Sequence, residues 1–215
     1  MSIPQPLQQP QTFTDRVRLR FKGILDAVGG ALNRWGIHPN AMTVAGVLGN
    51  AGAAVLLARG DIAAGGLVVL AMGAFDALDG TMARLRGTPT AWGAFLDSVA
   101  DRYSELLLLG GLAYYYSGQH NQWGVLLAYA AAAGSVLVSY TRARAEALGW
   151  EVKIGLLTRL ERYLVLAPAL VFHQPLIGLS ILAVGANITA LQRIAFAHRL
   201  AKRASSRTSS ETREV

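Results

Sequence analysis

Six apolar stretches, each short of charge and separated by brief polar linkers, constrain this 215-residue chain more than any other feature. They run roughly Ala41 to Leu57, Ile62 to Leu78, Ala91 to Tyr116, Trp123 to Tyr140, Leu160 to Phe172 and Pro175 to Ile194. A helix needs about 20 apolar residues to cross a bilayer. Lipid offers no partner to an open backbone, so such stretches must close their hydrogen bonds within helices. The expected fold is all-α: an integral membrane bundle of six transmembrane helices. The fifth stretch is the shortest and is flanked by charge. Composition agrees, because only 15% of residues are charged where a soluble domain carries about 25%. Glycine and alanine recur in the first, second and fourth stretches (GVLGNAGAA, AAGG, AYAAAAGS), and small residues let membrane helices approach closely.

The flanking segments read differently. Residues 1–12 are rich in Pro and Gln, are expected to be disordered, and lack the apolar core of a signal peptide. Residues 13–36 mix apolar positions with Arg16, Arg18, Arg20 and Lys22 and end near Trp35, the pattern of an amphipathic helix lying at the membrane surface. Residues 37–201 are then expected to form the six-helix transmembrane domain, and 202–215 a disordered tail. The linkers after the first, third and fifth stretches hold a single basic residue other than His, Arg59. Basic residues favour the cytoplasmic side, so both termini are expected in the cytoplasm of a cell-membrane protein. The net charge of +7 lies at the ends of apolar spans, which suits anionic lipid and phosphate-bearing substrates rather than nucleic acid.

Acidic residues on apolar helices are the chemical signal. Asp76 and Asp79 are three apart near the end of the second stretch, and Asp97 and Asp101 four apart near the start of the third. Each pair shares a helix face, and Arg86-Gly87-Thr88-Pro89 supplies a turn between them. One Asp near a helix end is ordinarily a cap or a solvated group, but four on helices that should be apolar point to function. With no cysteine in the chain and no histidine nearby, hard oxygen donors favour Mg²⁺, Mn²⁺ or Ca²⁺ over zinc. Gly80 and Ala83 leave a notch beside Asp79, Gly93 does the same one turn before Asp97, and Arg84 offers a fork suited to phosphate. Asn40 either caps the first span or contacts a nucleotide. Glu105 continues the acidic stripe and is expected to pair with an arginine rather than bind metal.

The spacing Asp76-x-x-Asp79-Gly80-x-x-Ala83-Arg84, then Gly93-x-x-x-Asp97-x-x-x-Asp101, resembles the signature of the CDP-alcohol phosphotransferases at every defined position. The resemblance extends to the six-span plan and to Pro39-Asn40-Ala41-Met42-Thr43. It implies that Asp76, Asp79, Asp97 and Asp101 hold Mg²⁺ (or Mn²⁺), and that Asp101 is the general base. Asn40, Thr43, Asp79, Gly80, Ala83, Arg84 and Gly93 would then bind the CDP-linked donor. It also implies a homodimer. The stretch Ser139-Tyr140-Thr141-Arg142-Ala143-Arg144-Ala145-Glu146 and the run Arg159-Leu160-Glu161-Arg162 resemble the branch that joins CDP-diacylglycerol to inositol phosphate. Arg142 replaces a usual Lys there, and Leu160 a usual Pro.

The acceptor site is accordingly expected at Ser139, Arg142, Arg159 and Arg193, within a basic group that also includes Arg144, Lys153 and Arg162. Several guanidiniums at cytoplasmic helix ends suit a phosphorylated alcohol, although cytoplasmic arginine is expected on topological grounds too. Glycerol 3-phosphate, free inositol and serine are the alternative acceptors. A reading of another class is a divalent-metal channel or transporter, which Arg84 beside the acids would oppose.

Overall fold

The computed structural model describes residues 13–87, 90–152 and 154–211. Side chains of 13–21 and 203–211 are not described, and the expected disorder of 1–12, the turn residues Thr88 and Pro89, and Lys153 lie outside the described residues. The described residues form seven helices and no strand. They are α1 (Phe13–Arg34), α2 (Pro39–Arg59), α3 (Ile62–Leu85), α4 (Ala91–Gly118), α5 (Gln122–Ala147), α6 (Arg159–Val171) and α7 (Pro175–Glu211). α7 stays helical through Glu211, past Lys202 where the sequence suggests a disordered tail.

Local chemistry explains the boundaries. His38 caps α2, its Nδ1 accepting from the Asn40 backbone N–H at 3.2 Å, with Pro39 in the first turn. Asn40 is therefore not the cap. Thr90 caps α4 by accepting from Gly93 N–H at 3.0 Å, and Asn121 caps α5 from Gly124 N–H at 3.0 Å. The α2–α3 turn depends on Gly60 at φ 91, a left-handed conformation that favours glycine.

Among the described residues, four helical segments are long and apolar enough to cross a membrane: Pro39–Arg59, Ile62–Leu85, Gln122–Ala147 and Pro175–Lys202. α4 has the length but carries Asp97, Asp101, Arg102 and Glu105 in its first half. α6 has 13 residues with Pro168 inside, about 20 Å of helix against a hydrocarbon core of about 30 Å.

The packing forms a closed ring in the order α2, α3, α6, α7, α5, α4, with α1 against α3. One end of the ring is filled. Leu57, Leu109, Leu112, Leu170, Leu179 and Leu182 are at most 1% exposed, and all sit toward the end where α2, α4 and α6 finish and α3, α5 and α7 begin. Glycine permits two of these contacts. A Cβ on Gly111 would fall 2.4 Å from the Ala54 carbonyl oxygen, and one on Gly66 would fall 2.8 Å from the Val171 nitrogen. Gly46 and Gly52 of α2, by contrast, meet nothing within 4 Å. Polar pins join neighbours in the ring as well: Asn187 on α7 donates to the Ala130 carbonyl of α5 at 3.0 Å, and Tyr163 on α6 to the Val69 carbonyl of α3 at 3.0 Å. The opposite end of the ring carries the charge.

Candidate metal and substrate centre

At the charged end, the last turns of α3 face the first turns of α4. Carboxylate oxygens of Asp76, Asp97 and Asp101 all lie within 4.8 Å of one another. The turn between α3 and α4 brings Asp76 of the first acidic pair to both members of the second. Asp79 stands apart from the group of three. It is 6% exposed, and its Oδ2 accepts from the Thr43 hydroxyl at 2.7 Å. Thr43 also donates to the Pro39 carbonyl at 3.3 Å, so the first turn of α2 is tied to the site. Asn40 belongs to the same corner, because a Cβ on Gly93 would lie 3.4 Å from its Oδ1. Asn40, Thr43, Asp79 and Gly93 thus meet where α2, α3 and α4 converge, and Gly80 and Ala83 are half-buried on the same stretch of α3. Arg84 is exposed and donates to the Thr81 hydroxyl at 2.8 Å.

The arginines are distributed in a way spacing alone did not reveal. Arg159, the first residue of α6, reaches across the ring to the acids. Its Nη2 lies 2.6 Å from Asp76 Oδ1 and also contacts Asp101 Oδ1. Arg102 donates to Asp101 Oδ2 at 3.1 Å and to the Ser98 carbonyl at 3.1 Å. Asp101, whose side chain is 8% exposed, is thus flanked by two guanidiniums. One turn deeper, Arg162 makes a two-pronged pair with Glu105, Nε to Oε1 at 2.7 Å and Nη2 to Oε2 at 3.1 Å. Glu105 does pair with an arginine. Arg162 also donates to the Leu157 carbonyl at 3.2 Å.

The remaining basic residues sit further along the rim. Arg193, 4% exposed, donates to the Ile154 carbonyl at 2.8 Å and the Val138 carbonyl at 2.5 Å. It holds the α5–α6 connection against α7, together with Thr189 and Gln192, which accept from Leu157 N–H and Leu156 N–H. Arg142 is exposed and paired with Glu146 at 2.8 Å. Glu161 accepts from the Thr158 hydroxyl. Ser139 is half-buried, its hydroxyl donating to the Ser135 carbonyl at 3.2 Å. Arg144 is exposed. Sequence reasoning missed Arg102 because its spacing from Asp101 says nothing about shared faces. It also placed Arg159 with the acceptor group rather than among the acids.

The donor set tests the metal directly. Three carboxylates converge with only oxygen on offer, which matches a hard divalent cation, and no His or Cys belongs to the group. Residues 36–197 match the CDP-alcohol phosphatidyltransferase family. The chain belongs to that family.

As a CDP-alcohol phosphatidyltransferase it is an enzyme of phospholipid synthesis, and with four spanning-length helices a multi-pass membrane protein. Membership in a transferase family decides against the channel reading. Phosphatidylinositol phosphate synthase of Streptomyces avermitilis is 35% identical over 210 residues, covering 90% of this chain and 86% of its own. Archaetidylinositol phosphate synthase of Pyrococcus horikoshii is 37% identical over 187 residues, covering 83% and 93%. Among solved structures, phosphatidylinositol phosphate synthase of Mycobacterium tuberculosis with CDP-DAG bound superposes with a TM-score of 0.76 at 30% identity, covering 81% of this chain and 93% of that one. The same enzyme in complex with manganese and citrate gives 0.74 at 30% identity, covering 80% and 88%. The bound manganese there agrees with a divalent metal at the acid cluster of this CDP-alcohol phosphatidyltransferase.

Proposed function

We propose that this enzyme transfers a phosphatidyl group from CDP-diacylglycerol to inositol phosphate, giving phosphatidylinositol phosphate and CMP. The observation that carries the reading is the meeting of the three-carboxylate group with Arg159, beside a rim of arginines from α5, α6 and α7. An acid cluster alone suits any member of the family; a cationic rim suits an acceptor that brings its own phosphate. The relatives support this. Those from S. avermitilis and P. horikoshii differ in the lipid their names carry and agree on inositol phosphate.

In this reading Asp76, Asp97 and Asp101, with Asp79 beside them, hold Mg²⁺ or Mn²⁺. When bound, the metal neutralises the pyrophosphate of the donor and stabilises CMP as it leaves. Asn40, Thr43, Gly80, Ala83, Arg84 and Gly93 receive the nucleotide part: the small residues give it room, and Thr43 holds Asp79 in a fixed orientation. Asp101 takes the proton from the acceptor hydroxyl, and positioning in a site walled by helices supplies much of the acceleration. Ser139, Arg142, Arg159 and Arg193 receive the acceptor phosphate.

The reading also includes six membrane crossings by α2–α7, with α1 at the interface on its exposed Trp35, and a catalytic domain spanning 37–201. Termini and site face the cytoplasm, where a soluble acceptor meets a two-tailed lipid, and the protein works as a homodimer. Purified protein given CDP-diacylglycerol and a panel of acceptors tests the function. CMP release should be strongest with inositol phosphate, vanish in EDTA and return with Mg²⁺ or Mn²⁺. Equal turnover with free inositol, or preference for glycerol 3-phosphate, would refute the assignment of the acceptor.

A further inference from the structure

Arg159 holds oxygens that a metal at this site would also use. Its Nη2 bridges Asp76 Oδ1 and Asp101 Oδ1, two of the three residues whose carboxylates converge. A guanidinium and a divalent cation compete for the same carboxylate oxygens, and like charges a few ångströms apart repel. One must leave when the other enters. The surroundings fix which part moves. Three residues on, Arg162 is buried and clamped by Glu105 and the Leu157 carbonyl, so the start of α6 is anchored to α4. Arg159 itself has a side chain 46% exposed on a long flexible stem. Its charged neighbours are Asp76 and Asp101, in direct contact, with Asp97 in the same group and Arg102 on the far side of Asp101. Displacement would carry it away from these carboxylates.

We infer that Arg159 is a mobile positioning residue that couples the two ligands: the cation expels its guanidinium from the acid cluster, and the freed guanidinium completes the anion site. This rests on the acceptor reading above. Two consequences follow by chemistry. Expulsion removes a partner from Asp101 Oδ1, the carboxylate proposed to take the acceptor proton. It also makes cation and anion binding mutually reinforcing, and such coupling must be reciprocal: each ligand tightens the other by the same factor.

The test measures binding rather than turnover, on the full-length protein in detergent micelles, titrating Mn²⁺ with and without inorganic sulfate as the anion probe. In the unmodified protein, sulfate should tighten Mn²⁺ about five-fold or more, the lower end of usual coupling, and Mn²⁺ should tighten sulfate equally. Arg159→Gln should bind Mn²⁺ about five-fold or more tightly than the unmodified protein without sulfate, since the competing cation is gone, and should lose the sulfate effect. Unchanged or weaker Mn²⁺ binding by the variant would overturn the proposal. So would a sulfate effect that persists in it, which would mean the anion acts by ligating the metal. Absence of any sulfate effect in the unmodified protein would overturn it without a variant. Because no product is measured, a wrong acceptor would show in the CMP assay and leave these titrations interpretable.

Discussion

Replacing Glu105 by Leu removes one half of a charge pair that spans the interior of the ring. Its partner Arg162 is 3% exposed and Glu105 20%, so the orphaned guanidinium would keep the Leu157 carbonyl and lose both charged bonds. Breaking a buried pair from one side costs about 3–5 kcal/mol, and the partial exposure of Glu105 argues for the lower end. A chain of this size loses roughly 2–4 °C of Tm per kcal/mol, so Glu105→Leu should melt about 6–12 °C below the unmodified protein. Replacing both members, as Glu105→Leu with Arg162→Met, removes the uncompensated charge and is often neutral or stabilising. The double variant should therefore recover most of the loss, less about 1 kcal/mol for the Leu157 carbonyl. The assay is thermal unfolding in a fixed detergent, followed by size-exclusion recovery after heating, for the two single variants and the double. A single variant within ~2 °C of the parent would refute the reasoning about an orphaned charge. Losses that simply add in the double variant would refute the pairing itself.

Three other outcomes are expected. Asp101→Asn should retain CDP-diacylglycerol binding better than Asp76→Asn while losing turnover as completely, measured by donor binding and CMP release; near-normal turnover would remove Asp101 as the base. Arg142→Ala should raise the KM for inositol phosphate about ten-fold or more, since a charge-assisted bond contributes roughly 1.5–3 kcal/mol, and should leave the donor KM nearly unchanged. Gly111→Ala should lower Tm, because overpacking a helix contact costs about 1–3 kcal/mol and its new Cβ would press on the Ala54 carbonyl of α2. Gly110→Ala, with nothing within 4 Å, is the matched control and should have little effect.

The sequence by itself determined the class of fold and singled out acids that the fold brings together. Apolar runs of bilayer length permit only helices in lipid, and acids three or four apart on such helices lie on one side of them. That is local information: it puts Asp97 and Asp101 on one side of α4, where Asp76 of α3 meets them. The pairing of Glu105 with an arginine was legible in the same way, since an acid on a membrane helix needs a counter-charge. What the tertiary structure alone decided is which arginine meets which acid. Arg159 and Asp76 are 83 residues apart, and Arg162 and Glu105 57 apart. Nothing in either helix's periodicity records the ring order that sets α6 across from α4. The same holds for Asp79, which the spacing groups with Asp76 but which turns to Thr43 of α2, and for Arg193, whose bonds run to Ile154 and Val138 on elements remote in sequence. Helix faces follow from a 3.6-residue repeat. The partner across an interior gap follows from the packing of all the helices at once, with small residues such as Gly66 and Gly111 setting how near they come.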